Sequence, residues 1–136
     1  METFDKNSVV RVVLITGKNS ILRIMQDLYF IVVFLSTVII TRVLLYFRPT
    51  PSPTIRGFRT HHWMYGIILV LIAVLFKNII LFGVGSGLFI DELGYILIRG
   101  KTHQDNYSVR SFILLAIFVL LVYIMRSEIT YLFGII

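Results

Sequence analysis

The sequence predicts an all-α fold, a polytopic membrane bundle of four transmembrane helices. Three observations carry that expectation. The mean hydropathy is +0.89, with 57% hydrophobic and 15% charged residues; a soluble domain carries about 25% charged residues, so this chain has too little polar surface to cover itself in water. Charges bracket uncharged stretches at 28–41, 63–76, 78–90 and 111–125. Aromatic rings, among them Tyr29, Tyr46, Trp63, Tyr95, Tyr107 and Tyr123, fall near the ends of those stretches, where amphipathic rings favour the lipid–water boundary.

The 136 residues make one membrane domain. Residues 1–20 read as an N-terminal interfacial segment. Its apolar run, Val9 to Thr16, is too short to cross a bilayer, and Gly17-Lys-Asn-Ser20 reads as a turn with Asn19 or Ser20 as a helix cap. No cleavable signal peptide is recognisable, so the first helix is expected to serve as its own insertion signal. The spans are expected at about 24–47, 60–76, 79–98 and 110–133. Each uncharged stretch is shorter than the ~20 residues of a standard span. Flanking Arg and Lys extend it by reaching back to the headgroups.

The run from Trp63 to Ile98 is too long for one helix. A break at Lys77-Asn78 yields a tight hairpin and four spans. A break at Gly83-Val-Gly-Ser-Gly87 yields three spans plus a re-entrant segment. The first is preferred, because the second buries Lys77 deep in a helix. Gly83, Gly87 and Gly94 then form a small-residue face for helix packing. The three prolines lie in Pro49-Thr-Pro-Ser-Pro53, an extended connector between the first two spans.

The net charge of +6 is not a nucleic-acid signature, because the cations sit singly at the ends of apolar runs. Six cations flank one side and seven the other, so orientation is not encoded by a positive-inside bias. The absence of cysteine excludes disulfides, thiolate metal sites and cysteine nucleophiles.

The chemistry-bearing residues collect at one end of the bundle. Arg42 closes the first span there. Arg59, His61 and His62 open the second. Asp91 and Glu92 approach it within the third, and His103 and Asp105 lie in the following loop. A carboxylate inside a span costs ~2.5 kcal/mol or more without a partner. Asp91 shares the face of Gly87 and Gly94 and is expected to point into the bundle, with Glu92 turned about 100° away. Two readings stand side by side. In one, His62, Asp91 and Glu92 bind a divalent metal (Zn, Mn or Fe), with His61 and His103 as accessory ligands and Arg42 and Arg59 holding phosphate. In the other, the carboxylates form buried ion pairs with Arg42, Arg99 or Arg110.

The pattern His61-His62-x-x-x-Gly66 followed by Gly83-x-Gly85-x-Gly87-x-x-x-Asp91-Glu92 resembles small prokaryotic integral membrane proteins, over the middle third of the chain. That group has no established activity. The resemblance therefore implies only a multi-pass protein of a prokaryotic cytoplasmic membrane. Arg59-Thr-His61 is similar, over three residues, to membrane-bound metal-dependent hydrolases. The expected function is accordingly either a metal-dependent protein acting on a lipid or lipid-linked substrate, or a non-enzymatic structural, assembly or transport module. The expected partners are membrane lipids and a homo-oligomer or other membrane protein, with no nucleic acid.

Overall fold

The computed structural model describes residues 6–48, 54–55, 58–59, 61–100 and 103–134, and side chains at 17–48, 61–100 and 105–133. Helix α1 runs over Lys6–Phe47, α2 over His62–Leu75, α3 over Ile79–Leu97 and α4 over Val109–Gly134. A two-residue antiparallel pair, β1 (Thr54–Ile55) and β2 (Phe58–Arg59), lies between α1 and α2, in the register Thr54↔Arg59 and Ile55↔Phe58. A 3-10 helix, His103–Tyr107, precedes α4. The Pro49–Pro53 connector lies outside the described residues.

Three helical segments, Gly17–Phe47, Ile79–Leu97 and Val109–Phe133, are long and apolar enough to cross a membrane. Their outer faces are apolar, with Phe47 76% and Val109 74% exposed. Faces of that kind require lipid around them. The molecule is an all-α membrane bundle. Helix α2 has 14 residues, about 21 Å, which is less than the hydrocarbon thickness of ~30 Å.

The turn expected at 17–20 is helix instead, and α1 is continuous from Lys6. The first proline is Pro49, so nothing before it removes a backbone donor. Breaking the helix would create two new ends, each with up to four unpaired backbone groups. A single Gly17 costs only ~1 kcal/mol relative to Ala, so continuity wins. Helix α1 stops at Phe47, just before a proline that restricts its predecessor.

The break between α2 and α3 falls at Phe76–Asn78. Lys77 takes a left-handed conformation, φ 51°. Its N–H donates to Val74 O (3.3 Å), and Asn78 N–H donates to Ala73 O (2.9 Å). This is the paired closure that ends helices at a left-handed residue. Asn78 then caps α3, its Oδ1 accepting from Ile80 and Leu81 N–H, both at 3.0 Å. The run Gly83–Gly87 is uninterrupted helix within α3, so there is no re-entrant break there.

Helix α3 is the centre of the bundle and packs on α1, α2 and α4. Between helices in lipid there is little hydrophobic drive, so small residues that allow close approach decide the packing. A Cβ on Gly85 would come within 2.8 Å of Gly66 O and Val70 N in α2. A Cβ on Gly87 would come within 2.8 Å of Thr37 Cβ in α1, and one on Gly83 within 3.1 Å of Val33 Cγ1. Gly94 departs from the single face expected for it, since its neighbours are Ser111 and Leu114 of α4. The buried core, Phe30, Phe34, Val38, Ile90 and Leu115, joins α1, α3 and α4.

Candidate functional site

The site grows from two adjacent residues of α3. Successive side chains on a helix diverge by about 100°, so Asp91 and Glu92 serve different neighbours. Asp91 turns toward α1 and α4 and is 1% exposed, while Glu92 turns toward α2 and is also buried.

Arg42, buried near the end of α1, meets Asp91. Its Nε donates to Asp91 Oδ1 at 2.6 Å and its Nη2 to the Asp91 carbonyl at 3.3 Å. Nη1 donates to the Asn106 carbonyl at 3.1 Å. Nη2 also approaches Asn106 Oδ1 (3.5 Å) and Ser111 Oγ (3.4 Å). The guanidinium lies 4.7 Å from the Phe112 ring centroid, a cation–π distance. Tyr107 completes the shell by donating its hydroxyl to the Arg42 carbonyl at 3.0 Å. One arginine thus joins α1, α3, the 3-10 helix and the first turn of α4. Asp91 Oδ2 is buried and accepts no hydrogen bond among the described residues.

Tyr107 lies outside the spans. Burial pushes its phenol above the usual value, and the Asp91 charge adds to the rise while Arg42 opposes it. The phenol therefore keeps its proton for the bond to Arg42.

Glu92 performs a separate task. The residue preceding α2, His61, has extended backbone and makes no side-chain cap. Glu92 Oε2 supplies the missing acceptor, taking the Trp63 N–H at 2.8 Å. A carboxylate at a helix N-terminus also suits the helix dipole. His61 Nδ1 stands 3.7 Å from Glu92 Oε1, beyond hydrogen-bond distance.

The structure brings Arg42, Asp91, Glu92, His61 and His62 to one bundle end, and His62 lies within electrostatic reach of Asp91. Arg99 is not a partner of either carboxylate. It ends α3 in a left-handed conformation, φ 52°. There it joins Asp105, Ser108 and Arg110 around an open cavity of about 640 Å³. His103 opens the 3-10 helix, while its side chain and that of Arg59 lie outside the described residues. Among the described residues no group of three or more His, Asp or Glu is arranged to hold a metal ion. Asn106, Tyr107 and Ser111 are site residues that the sequence reading missed. Their one signal is the polar run Asp105–Ser108 directly before an apolar helix, with Ser108 Oγ accepting from Ser111 N–H at 3.3 Å.

A second polar cluster closes the opposite end of the α1–α4 pair. Asp27 Oδ2 accepts from Ser127 Oγ at 2.8 Å, and Oδ1 accepts from Thr130 Oγ1. Comparison of the chain with protein-family models, with curated proteins and with solved structures returns no match. What defines the molecule is its own geometry, that of a helical membrane bundle locked at one end by a buried arginine–carboxylate network.

Proposed function

We propose that the chain is a non-enzymatic membrane module, structural, assembly or transport in role, in which the Arg42–Asp91 network fixes the arrangement of the helices. One observation carries this reading: each Arg42 nitrogen donates to a protein acceptor of α3, the 3-10 helix or α4. The placement of Glu92 supports it, since that carboxylate is engaged at the start of α2. Surrounding lipids, and a second membrane chain for an assembly role, are its partners.

The rival reading places Zn, Mn or Fe on His62, Asp91 and Glu92. Two measurements separate them. Arg42→Met and Asp91→Leu are made singly and together, and stability is followed in detergent. Each single variant leaves a buried charge and costs about 3–5 kcal/mol, while the apolar pair recovers most of the loss. Elemental analysis of chelator-free protein accompanies this. A double variant as unstable as the singles, or one equivalent of metal per chain, overturns the structural reading.

A further inference from the structure

We propose that the crevice between α1 and α4 binds one glycerophospholipid whose headgroup carries both a phosphate and a primary amine, with an acyl chain in the apolar part of the crevice.

Two cavities lie along this seam, and they share Ile31 and Tyr123. The inner cavity, about 330 Å³, is lined by apolar side chains that include Phe34, Leu35, Ala116 and Val119. The outer one, about 220 Å³, contains Asp27 and Arg126. Together they form one slot, apolar within and charged at the mouth. The slot persists because α1 and α4 are tied at both ends. Asp27 holds Ser127 and Thr130 at the mouth, and Arg42 reaches Ser111 at the far end. Fifteen residues separate Asp27 from Arg42, about 22 Å of helix, and between the ties the small Ala116 leaves the gap unfilled.

The depth suits a lipid. Asp27 and Phe47 are twenty residues apart, about 30 Å, which matches the hydrocarbon thickness. Placing Phe47 at the opposite boundary of the hydrocarbon sets the mouth at headgroup level and the inner cavity at acyl level.

The mouth has complementary charges. Arg126 is held there by donating Nη1 to the Tyr123 carbonyl at 2.8 Å, with its guanidinium 4.2 Å from the Tyr123 ring centroid. Its Nε and Nη2 make no hydrogen bond among the described residues, which leaves a planar edge suited to phosphate oxygens. Asp27 accepts one hydroxyl on each oxygen and retains further lone pairs. No Lys or Arg nitrogen lies within 4 Å of it among the described residues. A phosphate on Arg126 and an ammonium on Asp27 match this pair of charges. A choline headgroup offers no N–H to Asp27, and a glycerol headgroup offers no cation.

The test uses delipidated full-length chain in detergent, given equal amounts of phosphatidylethanolamine, phosphatidylglycerol, phosphatidylcholine and diacylglycerol with identical acyl chains. Native mass spectrometry reads the retained lipid. One phosphatidylethanolamine per chain is the expected result. Ala116 is exposed in the slot, so Ala116→Phe fills it with the melting temperature unchanged and retention down by about tenfold. Arg126→Gln lowers retention by a similar factor, and Asp27→Asn abolishes the preference over phosphatidylglycerol. Three results overturn the proposal. Diacylglycerol or phosphatidylglycerol is retained equally well; Ala116→Phe changes nothing; or the chain is a lipid-free dimer that Ala116→Phe dissociates, which assigns the slot to a second copy.

Discussion

The two ends of the α1–α4 pair handle a carboxylate differently. At one end Asp91 is 1% exposed and is met by a guanidinium. At the other Asp27 is half-buried and is met by the hydroxyls of Ser127 and Thr130. The contrast follows from burial. A carboxylate remote from water needs a full opposite charge beside it. Where the carboxylate stays partly exposed, neutral donors suffice. The same residue type therefore locks three elements through an arginine in one place and ties two helices through hydroxyls in the other.

The sharpest way to break this comparison is to neutralise both acids in turn. Asp91→Asn leaves Arg42 buried without a counter-charge and lowers stability by about 3–5 kcal/mol. Asp27→Asn still accepts a hydroxyl, so its cost is only ~1 kcal/mol. Thermal unfolding of the two variants in one detergent checks the ranking, and equal losses would refute the burial argument. Gly87→Val ranks between them. Its side chain would press on Thr37 Cβ and Phe34 O, pushing α1 away one turn before Asp91, at about 1–3 kcal/mol. Double-variant analysis with Asp91→Asn should then show a strongly non-additive loss, because the first change already separates Arg42 from its partner.

A smaller effect is expected at Glu92. Glu92→Gln keeps an acceptor for the Trp63 N–H but removes the charge at the start of α2, at about 0.3–1 kcal/mol. Hydrogen exchange should localise the loss to the first turn of α2 and spare α4. The smallest change concerns Tyr107. Its folded-state value lies above the ordinary phenol range. A group raised on folding gives stability that is complete below its unfolded value and is lost as pH rises through the folded one. Stability should therefore be flat with respect to this group up to about pH 10 and decline above it. Tyr107→Phe should remove that part of the alkaline decline. A decline of the same size in the variant would assign it to other groups.

Much of the fold was legible because helices in lipid are specified locally. The helical hairpin at Lys77-Asn78 and the gathering of Arg42, Asp91 and Glu92 at one end could both be read from charge spacing. The turn at 17–20 was misread, since Gly17 and Ser20 are turn-formers whose preference yields to an unbroken hydrogen-bond ladder. The small-residue face was read correctly for Gly83 and Gly87, which meet α1, and incompletely for Gly94, which meets α4. Gly85 lies outside the small-residue face expected from Gly83, Gly87 and Gly94, yet with Gly66 it brings α2 and α3 into backbone contact.

Membrane character and helix number were determined by the sequence alone. Burial of apolar surface in lipid is a matter of composition, and helical hydrogen bonds close within four residues. Which group answers each carboxylate was decided only by the tertiary structure. Arg42, Arg99 and Arg110 were all candidates for the carboxylates, and the choice depends on how α1 and α3 cross and how each is rotated about its axis. A rotation of 100° would exchange the partners of Asp91 and Glu92 without altering any local preference. The cap that Glu92 provides for α2, the part played by Asn106 and the slot beside Ala116 belong to the same class, because each depends on residues brought together from distant parts of the chain.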